Sequence, residues 1–397
     1  MAAVSSTGSL VSLMTNLFIG LSVGSSVCIA KRIGSGDYDH IYKAVQTSIA
    51  MALLFGVILM AGGIAFSRSL LVMMKSPEDV IDLSALYLRV YFVGMPATMV
   101  YNFAAAVLRA KGDTKRPLII LLIAGVTNVV LNLFFVLAAK MDVAGVALAS
   151  AISSYVSAAM VLTVLITDPG YTRLYPKDLF IDKEALLEIS RVGIPAGIQS
   201  TLFSLSNVVI QSSINEFGSI VMAGNGAASS VSNFVYSIMN AFSQSCLTFT
   251  SQNIGARKID RVGKILLVSI LFVALFGGMA GNLFYLFGKN LLHFYSNDPE
   301  VIAAGMVRLA YICIPYFIFG MMDVFVGSLR GMGNSFLPMA VSLLGICAFR
   351  LLWVDTYFQM HHTVEGLYFS YPVSWIMTCT VQGLICLYTY RRLKKTV

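Results

Sequence analysis

One acid stands out for where it lies. Asp323 sits inside the apolar run from Val301 to Leu329, seven residues before Arg330. At a rise of ~1.5 Å per residue, that places it about 10 Å from the end of a helix. An ionisable group inside a bilayer costs roughly 2.5 to 3.5 kcal/mol on insertion scales, so it is a functional candidate by default. Tyr316, Gly320, Asp323 and Gly327 share one helical face and are expected to form an open polar stripe. Two readings of Asp323 follow: a carboxyl that takes up and releases a cation, or an ion pair with Arg330.

Uncharged polar groups at helical spacing make a second set. Ser200, Ser204, Asn207 and Gln211 fall within a narrow arc, with Gln199 beside them, and Asn128 and Asn132 lie four apart. Side chains of this kind either contact a ligand or bond a neighbouring helix. With Asn102 and Tyr316 they form the candidate ligand-binding set. Eighteen tyrosines and 20 methionines suit an adaptable aromatic pocket, although filler and interface belts account for most of them.

The elements that hold these residues follow from composition. Hydrophobic residues are 57% of 397 positions and charged residues 12%, with a mean hydropathy of +0.81. A soluble domain carries about a quarter charged residues. Apolar runs long enough to cross a ~30 Å hydrocarbon core recur with short polar breaks, and we count eleven. The alternation of a β-barrel is absent, so the expected fold class is all-α, a polytopic membrane protein in contact with lipid.

Residues 33–118 recur at 254–339 without a gap, at a constant offset of 221. Leu108, Arg109, Gly112 and Pro117 fall on Leu329, Arg330, Gly333 and Pro338, and Asn102 falls on Asp323. A duplicated apolar chain of this length is the signature of a transporter made of two halves. The offset skips an even number of spans, so the halves are expected to point the same way. The expected division is an N-lobe at 1–167 with five spans, a polar linker at 168–185 with Pro169, Gly170 and Pro176, and a C-lobe at 186–397 with six.

Most of the 27 Lys and Arg residues fall on one set of loops, which puts the linker and the C-terminus in the cytoplasm. The same spread removes a nucleic-acid reading of the net charge of +8. Six cysteines lie in apolar runs and read as small hydrophobes. His361, His362 and Glu365 share one loop, a poor match to a metal site. No HExxH, no GxSxG and no paired intramembrane acids are present, so an enzyme is not expected.

Each half carries Leu-Arg-x-x-Gly-[Asp/Asn]-[Thr/Ser]-x-x-Pro, at Leu108 to Pro117 and Leu329 to Pro338. The Gly suits a left-handed cap, the Arg suits a helix C-terminus, and Asp113 or Asn334 can cap the next helix. Pro77-Glu78-Asp79-Val80-Ile81 is echoed by Pro299-Glu300-Val301-Ile302, and Gly193-Ile194-Pro195-Ala196-Gly197 opens the second half. Together these motifs resemble the MATE family (multidrug and toxic compound extrusion). The resemblance implies two six-helix bundles and cation-coupled antiport of organic, often cationic, small molecules by a monomer in the cell membrane. H⁺ or Na⁺ would be the coupling ion, with Asp323 as the coupling site and no further cofactor. It also implies twelve spans, of which the first has no counterpart here; a start internal to a longer gene is the preferred explanation. A lipid-linked oligosaccharide flippase is the runner-up. It would need several basic residues within the bundle, where only Arg350 lies deep.

Overall fold

The computed structural model describes residues 2–73, 78–141 and 143–396. Pro77 and Met1 lie outside them, as do the side chains of Glu78 to Val80. All regular structure among the described residues is helical. In chain order the helices are α1 (Ala2–Ser35), α2 (Tyr38–Met73), α3 (Glu78–Val93), α4 (Met95–Lys111), α5 (Lys115–Leu133), α6 (Val143–Ile166), α7 (Lys183–Asn215) and α8 (Ser219–Gly255). There follow α9 (Ile259–Leu286), α10 (Gly288–His293), α11 (Pro299–Cys313), α12 (Tyr316–Gly331), α13 (Phe336–Ser342), α14 (Phe349–Trp353), α15 (Gln359–His361) and α16 (Val364–Thr396). π-helical stretches, in which hydrogen bonds join residues five apart, occur at Phe134–Ala138, Leu343–Ala348 and Val354–Phe358.

Eight of these helical segments are long and apolar enough to cross a membrane unbroken, and ten do so if each bent pair counts as one span. The bent pairs are α3 with α4 and α11 with α12, each turned by 43°. The eleventh expected span corresponds to α8. Its 37 residues are ample in length, but Asn225, Asn233, Asn240 and a run of serines make it more polar than the other ten. The all-α expectation therefore holds, and the difference in count has a compositional cause.

The duplication reads directly in the backbone. Gly112 and Gly333, equivalent by the offset, have φ of 93° and 86°, the left-handed region that glycine enters at no steric cost. Their N–H groups donate to Arg109 O and Arg330 O at 2.9 Å, and the next residues, Asp113 and Asn334, donate to Leu108 O and Leu329 O at 2.9 Å. Both turns thus end a helix as a Schellman cap does. Asp113 Oδ1 then accepts from Arg116 N at 3.1 Å, and Asn334 Oδ1 from Leu337 N at 3.3 Å, so the side chain that follows the glycine starts the next helix.

The chain packs as two units, Met1–Thr201 and Leu202–Val397, with the division inside α7. In the first unit α4 is central, touching α1, α2 and α6, and Phe92, Met99 and Phe103 are fully buried. In the second, α12 holds the equivalent place against α8, α9 and α16. Apolar side chains gain little by leaving lipid for protein, so close packing must bring these helices together. α1 and α7 show how. A Cβ on Gly20 would strike the backbone of Gly197, one on Gly24 that of Ile189, and one on Gly193 that of Leu21. The small-xxx-small pairs Gly20/Gly24 and Gly193/Gly197 let two backbones touch. In α9 Gly281 does the same work against the Cys313 carbonyl, while Gly277 makes room for the Met239 side chain.

Candidate functional site

The centre of the second unit is built around α12. Gly320 faces Val273 and Met239, and Gly327 faces the Ser243 backbone. At Gly320 and Gly327 the face shared with Tyr316 and Asp323 is therefore covered by α8 and α9, while Tyr316 and Asp323 stay half-buried, so the expected polar stripe is open only in part. Helical spacing says which residues share a face; it does not say what covers it. The two glycines admit α8 so closely that Ser243 Oγ donates to Asp323 O at 2.8 Å. Asp323 itself is half-buried. Asn240 and Ser243 of α8 flank its carboxylate, with Arg330 about two turns beyond and Tyr236 nearby. Asn240 Nδ2 donates to Tyr236 Oη at 3.4 Å. The carboxyl therefore has neutral hydrogen-bonding neighbours and one cation, a setting that can hold a proton or a small cation.

The remaining expected ligand residues fall into three groups. Asn102 Nδ2 donates to Thr98 O at 2.8 Å within its own helix. Asn128 Nδ2 donates to Ser150 Oγ at 3.4 Å and Ser153 Oγ at 3.3 Å, and Asn128 Oδ1 accepts from Asn132 Nδ2 at 2.9 Å, so this pair ties α5 to α6. Gln199 is buried, Ser204 is half-buried, and Asn207 is exposed. Gln211 belongs to a network that the sequence did not reveal. Its Nε2 donates to Asn215 Oδ1 at 2.9 Å and its Oε1 accepts from Asn225 Nδ2 at 2.7 Å. Asn225 Oδ1 accepts in turn from Arg308 Nη1 and from Tyr368 Oη, the latter at 3.1 Å. Arg308 is ten residues into the bent span, inside the bundle rather than at a span end. This corrects the expectation that only Arg350 lies deep; the sequence does show Arg308 as a basic residue within an apolar run.

Tyr316 stacks on Trp375 with ring centroids 5.2 Å apart and planes 19° from parallel, and lies 5.5 Å from Phe319. Tyr371 meets Trp375 edge-on at 5.8 Å. Into this aromatic group comes Arg350, 4% exposed, its guanidinium 3.9 Å from the Tyr371 ring centre and 6.0 Å from that of Trp375. Its Nε donates to Ser374 Oγ at 3.1 Å. Arg350 is held between two π-helical stretches, a distortion often found at functional sites.

In the first unit the charged groups are joints. Arg32 Nη2 meets Glu184 and Glu188 at 2.9 Å each, Lys31 meets Glu188 at 3.3 Å, and Cys28 Sγ donates to Glu188 Oε2 at 3.3 Å, which ties α7 to α1. Lys111 Nζ donates to both oxygens of Asp168, at 2.8 and 2.9 Å, and so pins the linker to α4. The histidine pair divides: His362 Nε2 is 3.3 Å from Glu216 Oε2, while His361 stacks on Tyr357 at 4.5 Å. Among the described residues no group of three His, Cys, Asp or Glu side chains could hold a metal.

A twice-repeated, all-helical membrane chain that buries polar and charged side chains inside its bundles has the architecture of a secondary transporter. Comparison with known sequences makes this specific. The sequence profile of the MatE family matches residues 1–134 and 195–353, and the chain belongs to that family; it is a transporter and not an enzyme. It is similar to the probable multidrug resistance protein YoeA of Bacillus subtilis (strain 168), 28% identical over 98% of this chain and 85% of the relative. It is also similar to a FAD transporter of Shewanella oneidensis, 22% identical over 100% of this chain and 88% of the relative. The fold matches a solved outward-facing multidrug resistance MATE family transporter of the MOP superfamily with a TM-score of 0.92, at 19% identity, over 99% of this chain and 88% of that one.

Proposed function

We propose that the protein is a multidrug exporter, moving amphipathic organic small molecules out across the cell membrane by antiport against H⁺ or Na⁺. The observation that carries this reading is Asp323, an acid within a membrane-spanning helix, half-buried beside Asn240, Ser243 and Arg330. A carboxyl in that setting exchanges a proton or a sodium ion as its surroundings change, and the exchange is what links the ion gradient to substrate release. The names of the relatives support export of varied compounds: YoeA and two export proteins called MepA from staphylococci are all described by drug resistance or export.

The proposal includes a monomer in a lipid bilayer, the C-terminus cytoplasmic as the basic loops require, and two lobes joined by the linker at 168–185. The test is ethidium efflux from proteoliposomes under an imposed pH or Na⁺ gradient. Asp323→Asn is expected to abolish gradient-driven efflux, and Asp323→Glu to retain part of it. Undiminished gradient-driven efflux by Asp323→Asn removes Asp323 from the coupling role.

A further inference from the structure

The interior of the second unit carries more positive than negative charge. Arg308, Arg330 and Arg350 all lie within membrane-spanning helices, and Asp323, near Arg330, is the acid among them. Arg308 bonds a neutral amide, Asn225. Arg350 bonds a neutral hydroxyl, Ser374, and lies over a ring; no ion pair to it is found among the described residues. A buried cation without a counter-ion is expensive, and an anion that enters the site removes the cost.

We infer that Arg350, with Tyr371, Trp375 and Tyr316, forms a subsite for the anionic group of an aromatic compound, the guanidinium taking a carboxylate or phosphate and the rings taking the planar part. The inference rests on the reading of the chain as an exporter of organic molecules, and it specifies their charge. Three features agree with it. The guanidinium is a planar fork that suits two-oxygen anions, and the ring under one face fixes its orientation. Tyr316, Phe319 and Tyr371 are only half-buried, so ring surface stays open beside the charge. Thr378 Oγ1 is buried and has no hydrogen-bond partner among the described residues. Ser206 lies against Cys347, and Thr378 against Gly345, both in the π-helical stretch just before Arg350.

Flavin mononucleotide and riboflavin make a matched pair of probes, since they share one ring system and differ by a phosphate. Each is titrated against the full chain in detergent, in a Trp353→Phe background that leaves Trp375 as the fluorescent reporter, with inorganic phosphate alone as a further arm. Flavin mononucleotide is expected to bind about tenfold or more tighter than riboflavin, the size of a charge-assisted hydrogen bond. Arg350→Gln should bring the two to one affinity, and Arg350→Lys should hold an intermediate one. Equal affinity in the parent, quenching by neither flavin, or saturation by phosphate as tight as by flavin mononucleotide overturns the inference. If Arg350→Gln does not fold, Tyr371→Leu takes its place and is expected to weaken both flavins together; unchanged binding there also overturns it. The two readings fail separately. Ethidium efflux that depends on Asp323 without flavin discrimination leaves coupling and removes the subsite. Flavin discrimination with efflux that ignores Asp323 does the reverse.

Discussion

Asp168 opens the linker and is only 2% exposed. Lys111 donates to both of its oxygens, and Thr172 Oγ1 donates to Oδ2 at 2.5 Å. Burial pushes its pKa up, but the Lys111 ammonium and the Thr172 hydroxyl outweigh that and hold the carboxyl below its usual range. Removing one partner of a fully buried pair costs roughly 3 to 5 kcal/mol. Lys111 keeps 27% of its side chain exposed, so water partly replaces the lost partner and the cost falls to about 2 kcal/mol. For a chain of this size that corresponds to a loss of about 2 °C in Tm for Asp168→Asn. Thermal unfolding in detergent, followed by circular dichroism across a pH series, provides the assay. A depressed carboxyl contributes stability above its unfolded value, near pH 4, and loses it as pH falls through the folded value. The gap between parent and variant should therefore be constant from about pH 5 to 8 and close below about pH 4. A double-mutant cycle with Lys111→Met should return a coupling of about 1 kcal/mol or more. Equal Tm values at pH 7, or a gap that widens in acid, would refute the reasoning.

Three further outcomes are expected. Gly197→Val places a branched side chain where the α1 backbone lies, and is expected to lower Tm by more than 4 °C, whereas Gly226→Val, where no neighbour is met within 4 Å, should shift it by less than about 2 °C. Tyr101→Phe removes the hydroxyl that donates to Pro117 O at 3.1 Å, and unfolding by denaturant should show a loss of about 1 kcal/mol. Asn225→Leu leaves Arg308 and Tyr368 without their shared acceptor, with an expected loss of about 2 kcal/mol or more in the same measurement; if the loss is below about 0.5 kcal/mol, water already serves those groups.

The parts of the fold legible in the sequence were those set by neighbours in the chain. Gly112 and Gly333 could be placed in left-handed turns because the cap needs only the ten residues around it. The helical class followed from apolar length. The Asn225, Arg308 and Tyr368 cluster was not legible, since its members come from three helices separated by as many as 143 residues, and nothing local marks one as the partner of another. Asp323 stands out in the sequence as an acid inside an apolar run, but its neighbours Asn240 and Ser243 lie on α8, some 80 residues away. Arg350 was noted as deep. The aromatic group around it depends on α16 passing beside the π-helical stretch, which no short-range pattern specifies.

The 43° break that interrupts both α3/α4 and α11/α12 falls at equivalent places, yet Gly94 stands at one and Pro315 at the other. The two copies have kept a joint while changing the residue that makes it. Glycine frees the backbone to turn and proline removes the donor that would hold it straight, so unlike chemistries arrive at a single shape. What the ancestral gene handed down here is an angle, and a comparison of side chains alone would pass over it.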